Sequence, residues 1–147
     1  MPVPIDLTIR DDLADLPAVS QAVDRIAAAA GMPPKALTQL QVALDEILSN
    51  VIKYAWPDGG SHQVRIIINV VEDAMEIVVV DDGRFFDPRA QAPPEPPVPG
   101  NRRRPGGLGI HLVRQLVDGF GYAHDNGCNR VTLTKRYASA LSQMEKE

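Results

Sequence analysis

The chain has 147 residues, 44% of them hydrophobic and 23% charged, with a net charge of −4 at pH 7. This is the length of one domain and an ordinary globular balance, which excludes a wholly disordered or collagen-like chain. The acidic balance and 5% aromatic content also exclude a broad basic footprint for nucleic acid and a stacking platform for bases.

Val3 to Ile9 alternate as VPIDLTI and predict a first strand. Asp11 and Asp12 offer caps for a helix to about Ala30, with Leu13, Leu16, Val19, Val23, Ile26 and Ala27 at helical spacing. Gly31 stops it in a left-handed cap. Pro33 and Pro34 suit the start of a second helix, which runs to about Ala55 and ends before the breaker Trp56-Pro57-Asp58-Gly59-Gly60. His62 to Val71 and Met75 to Asp81 are rich in Val and Ile and predict an antiparallel hairpin around Glu72-Asp73-Ala74. From about Gly83 to Pro105 the chain carries seven of its thirteen prolines, so a long loop is expected. A helix from about Gly107 to Asp118 follows, with Ile110, Val113, Leu116 and Val117 as its stripe. Phe120 to Ala123 and Arg130 to Arg136 pair around Asp125-Asn126-Gly127, since Asn-Gly favours the primed hairpin turns. The order β-α-α-β-β-loop-α-β-β predicts an α+β two-layer sandwich, a mixed, mostly antiparallel sheet with helices on one face. The domain is expected over residues 1–137, with a polar tail over 138–147 and no internal repeat.

No apolar run approaches the roughly 18–20 residues that cross a bilayer. The start MPVPIDLTIRDD has no secretory pattern, and the single cysteine, Cys128, allows no internal disulfide. A cytoplasmic protein is expected, with no membrane contact and no direct nucleic-acid contact.

Three pieces could carry chemistry. On the second helix, Leu37, Leu40, Leu44, Ile47, Leu48 and Val51 form an apolar stripe. Glu46, Asn50 and Lys53 are expected on the opposite face, within roughly 60° of one another. Glu46 and Asn50 are about 6 Å apart along the axis. A carboxylate and an amide one turn apart could serve a hydrated Mg²⁺ and a reacting hydroxyl together. Next, Asp81-Asp82-Gly83-Arg84-Phe85-Phe86-Asp87-Pro88 closes a hydrophobic strand with an acceptor followed by glycine. Last, Gly106-Gly107-Leu108-Gly109 opens a helix behind Arg102-Arg103-Arg104, and free N–H groups at a helix start favour phosphate. Alone, each reads as ordinary structure: a solvated helix face, a turn, a hinge.

In this order the three resemble the ATP-binding boxes shared by gyrase, Hsp90, histidine kinases and MutL. LDEILSNVIKYAW, VVVDDGRFFDP and GGLGIHLVRQLVD are similar to the anti-sigma-factor serine/threonine kinases of bacterial partner-switching systems, from the first strand to about Tyr137. The resemblance implies a Bergerat-type fold, ATP and Mg²⁺. It implies Glu46 as general base and Asn50 as the magnesium ligand. Asp81 would accept from the adenine amino group, and Gly83 would let the backbone approach the base. Gly106, Gly107, Leu108 and Gly109 would lie beside the phosphates. Lys53 and Arg104 join this nucleotide set, with the choice among Arg102, Arg103 and Arg104 for the γ-phosphate left open, as does Thr132 or Thr134 on a late strand, reaching adenine through water. Other branches of the superfamily have a second glycine where Phe85 stands. The implied partners are an anti-anti-sigma (STAS-type) protein, phosphorylated on serine or threonine, and a sigma factor held by sequestration; a homodimer is also implied. A histidine-kinase fragment would need a phospho-acceptor histidine on a dimerisation helix, and His62, His111 and His124 fall elsewhere. A gyrase-like or chaperone-like ATPase would need further domains. The rival is an ATP-binding module that sequesters a partner without kinase activity.

Overall fold

The computed structural model describes residues 4–90 and 107–138. Arg102, Arg103, Arg104 and Gly106, and the tail beyond Ala138, lie outside the described residues.

Strand β1 covers Ile5–Arg10. The helix expected from Asp12 instead opens as a 3-10 turn over Leu13–Asp15, capped by Asp12, whose side chain accepts from the Ala14 N–H at 2.9 Å. Helix α1 proper is Leu16–Ala30. Pro17 explains the shift: it lacks an N–H and fits only a first turn, so the helix restarts beside it. Gly31 ends α1 at φ 71°, and α2 spans Pro34–Tyr54.

Strands β2 (Gln63–Val71) and β3 (Ala74–Asp81) form the expected hairpin. Trp56 anchors the α2–β2 connection: its Nε1 donates to Asp82 Oδ1 at 3.1 Å, and its ring stacks on His62 with centroids 4.4 Å apart. Helix α3 is Gly107–Leu116, and β4 (Gly119–Asp125) and β5 (Cys128–Arg136) follow. Their turn has Asn126 and Gly127 at φ 51° and 75°, as the Asn-Gly pair predicts. Helix α3 stops two residues short of Asp118. There Asp118 turns its N–H to Thr134 O at 2.9 Å, and Lys135 Nζ donates to Leu116 O at 2.8 Å.

The sheet order is β1-β2-β3-β5-β4, and every pairing is antiparallel. Alternation puts Val64, Ile66 and Ile68 of β2, Met75, Ile77 and Val79 of β3, and Val131 and Leu133 of β5 on one buried face. Val19, Val23 and Ile26 of α1, Leu40, Leu44 and Leu48 of α2, and Ile110 and Val113 of α3 pack against it. Each such side chain contributes about 1.5–3 kcal/mol on burial. Among the described residues, two polar side chains share this buried interior, Asp81 and Asn129, exposed by 5% and 3%.

Candidate functional site

Asp81 is the last residue of β3 and continues the inward series Met75, Ile77, Val79. It therefore ends the core face as a carboxylate, at a cavity lined also by Asn50, Val51 and Tyr54 of α2, Ile110 of α3, and Asn129 and Val131 of β5. Asp81 Oδ1 accepts from the Gly83 N–H at 2.9 Å and from Asn129 Nδ2 at 3.0 Å. Burial pushes the carboxyl above its ordinary range, against the pull of those two donors. Among the described residues Oδ2 has no protein partner.

Along α2 the geometry differs from a face opposite the core. Asn50 lines the cavity beside Ile47 and Val51, its amide unpartnered among the described residues. One turn back, Glu46 lies against the first turn of α3, where Gly107, Leu108 and Gly109 stand. A Cβ on Gly109 would fall 1.9 Å from Glu46 Oε1. Glycine there is what lets α3 start against this carboxylate. Glu46 also has no hydrogen-bond or ionic partner among the described residues.

Other expected members stand elsewhere. Lys53 is exposed and does not line the cavity. Gly83 serves packing: a Cβ would sit 2.5 Å from both Cβ and O of Ala55, at the end of α2, and Arg84 N–H bonds that same carbonyl at 2.9 Å. Thr132 and Thr134 alternate with the buried Val131 and Leu133, so both face away from the helices and neither reaches the cavity. Asn129 holds the inward strand position instead. The loop expected from Gly83 begins as packed structure. Phe86 N–H donates to Asn129 Oδ1 at 3.2 Å, and Pro88–Ala90 form a 3-10 turn. Asp87 pairs with Arg89 at 3.1 Å, and Arg114 of α3 donates to the Arg89 carbonyl.

Residues 9–135 match the family described as "Histidine kinase-like ATPase domain". The chain belongs to that family. Relatives that it resembles are named serine-protein kinases. The chain is 30% identical to the serine-protein kinase RsbW of Oceanobacillus iheyensis, over 60% of this chain and 58% of that relative's length. It is also 30% identical to RsbW of Listeria innocua, over 75% of this chain and 72% of the relative. Among solved structures, a Mycobacterium tuberculosis chain with RsbU and RsbW domains superposes with a TM-score of 0.66 at 16% identity. That likeness covers 92% of this chain and 32% of the other. It shows the shared fold, the α+β sandwich of the histidine kinase-like ATPases.

Sequence reasoning missed Asn129, Tyr54 and Tyr122. Tyr54 lines the cavity, and the Tyr122 hydroxyl donates to Asn129 Oδ1. The signal for Asn129 was present: counting back from Leu133 and Val131, the next inward position is an amide.

Proposed function

We propose that this protein is an ATP-dependent serine/threonine kinase and anti-sigma factor, which phosphorylates an anti-anti-sigma protein and sequesters a sigma factor. The observation that carries it is the placement on α2: Glu46 against the start of α3, Asn50 one turn on in the cavity, and Asp81 at the cavity's buried end. The relatives named serine-protein kinases support the reaction class.

Phosphoryl transfer needs positioning and charge stabilisation more than covalent chemistry from the protein. Asp81 Oδ2 accepts the exocyclic amine of adenine. The free N–H groups of Gly107, Leu108 and Gly109, at the positive end of α3, face the phosphates. Asn50 fits Mg²⁺, since its amide oxygen is unpartnered among the described residues and this ion keeps most of its waters. When bound, the ion neutralises phosphate charge. Glu46, with no ionic partner among the described residues, takes the proton of the attacking hydroxyl. The sigma factor, the STAS-type substrate and a homodimer complete the reading, with the protein acting in the cytoplasm.

Purification from the native cell with Mg·ATP, followed by mass spectrometry, tests it. The expected result is a co-purifying small protein carrying one phosphoserine or phosphothreonine. That protein, dephosphorylated, should accept label from γ-³²P-ATP. An ATP-dependent complex whose partner never takes label would establish the sequestering module without kinase activity instead.

A further inference from the structure

Asn129 is buried on the inward face of β5, and all four of its side-chain hydrogen-bonding positions are used. Its Oδ1 accepts from the Phe86 N–H at 3.2 Å and from the Tyr122 hydroxyl. Its Nδ2 donates to the Arg84 carbonyl at 2.8 Å and to Asp81 Oδ1 at 3.0 Å. This pattern fixes which end of the amide is nitrogen. Turned over, the amide would set N–H against the Phe86 N–H and oxygen against both a carbonyl and a carboxylate. The Asp81 side therefore always receives a donor.

We propose that Asn129 is the positioning residue that sets the base preference of the cavity. By binding Oδ1 together with the Gly83 N–H, it occupies the inner oxygen and turns Oδ2, unpartnered among the described residues, toward the cavity. By donating, it favours the ionised carboxylate, which burial disfavours. An ionised Oδ2 only accepts, so it selects a base edge that presents an amine and rejects one that presents a carbonyl. Adenine is accordingly preferred to hypoxanthine, which carries an oxygen at that position. Tyr122 acts one step further out, holding the amide from β4. The inference rests on the reading that Asp81 contacts the base.

Asn129→Asp tests it with almost no change of shape. The new carboxylate keeps the acceptor for Phe86 and Tyr122 but sets a second oxygen against Asp81 Oδ1, so the pair takes up a proton. A proton on Asp81 can donate to the hypoxanthine oxygen. The wild type is expected to bind Mg·ATP better than Mg·ITP by about 10–100-fold, as for a hydrogen bond to a charged group. In Asn129→Asp that ratio should collapse toward one, and ATP affinity should fall further as pH drops from 8 to 5, because a protonated Asp81 Oδ2 no longer accepts from the adenine amine. Equal weakening of both nucleotides, with the ratio kept, would overturn the proposal, because a merely structural role predicts that. Asn129→Ala, which removes the donor without adding charge, keeps the question answerable if the aspartate variant does not fold.

A ¹³C NMR titration of the Asp81 carboxyl without nucleotide separates the two readings. A higher pKa in Asn129→Ala than in wild type supports the positioning role even if ATP does not bind. An unchanged pKa overturns it even if ATP does.

Discussion

Asp81 is a carboxylate held in a hydrophobic interior, and its raised pKa makes it a site of pH-dependent stability. The folded state holds this proton more tightly than the unfolded chain, so the group's contribution is full below the unfolded pKa. It is lost as pH rises through the folded value. Asp81→Asn keeps an acceptor for Gly83 and Asn129 and does not titrate. The difference in melting temperature, variant minus wild type, should therefore become more positive as pH rises from 4 to 8. A flat difference would mean that Asp81 carries no burial penalty. The same substitution should weaken Mg·ATP binding by roughly 1.5–3 kcal/mol, read by calorimetry. At this scale the types and spacing of Glu46, Asn50 and Asp81 single them out in the sequence, and the fold sets Asn50 and Asp81 on one cavity with Glu46 one turn back. Alternation marks Asn129 as inward, but its partners Phe86, Arg84, Tyr122 and Asp81 are assembled only by the folded sheet.

Between elements, two glycines decide how closely α2 is approached. At Gly83, an alanine methyl would meet the Ala55 carbonyl oxygen and Cβ at 2.5 Å, and backbone cannot give way cheaply. Gly83→Ala should lower stability by about 1–3 kcal/mol in urea titrations. At Gly109 the obstacle is the far end of the Glu46 side chain, which can swing away. Gly109→Ala should therefore leave the fold intact and displace the carboxylate, slowing phosphoryl transfer by roughly 10²-fold. A variant that transfers at the wild-type rate would remove Glu46 from its assigned place. The helices and hairpins were legible from periodicity and turn residues. The inward face of β5 was misjudged because both threonines look like site residues, whereas alternation from Leu133 excludes them. The face of α2 was also misjudged. A helix wheel sees core and solvent, but the edge of α2 toward α3 is neither until α3 docks there.

For the whole molecule, the two-layer sandwich follows from apolar stripes that must be buried together. The order β1-β2-β3-β5-β4 was not legible, since the crossover that sets β5 beside β3 leaves no mark on local pattern. This order places Asn129 opposite Asp81 and so builds the cavity. Ligand binding there must stabilise the fold by mass action. Mg·ATP at 100 times its Kd adds about 2.7 kcal/mol, or a melting shift of about 5–11 °C for a chain of this size. Asn50→Ala and Asp81→Asn should each shrink the shift at the same nucleotide concentration, whereas Lys53→Ala, outside the cavity, should leave it unchanged.

On the proposed reading, this cavity supports phosphoryl transfer with Glu46 as the base. The most direct measurement is the single-turnover rate of γ-³²P transfer to the cognate partner for wild type and Glu46→Gln, with Mg·ATP affinity measured for both. Transfer by Glu46→Gln should be slower by about 10²–10⁴-fold, with affinity nearly unchanged. Transfer by Glu46→Gln at the wild-type rate would contradict it.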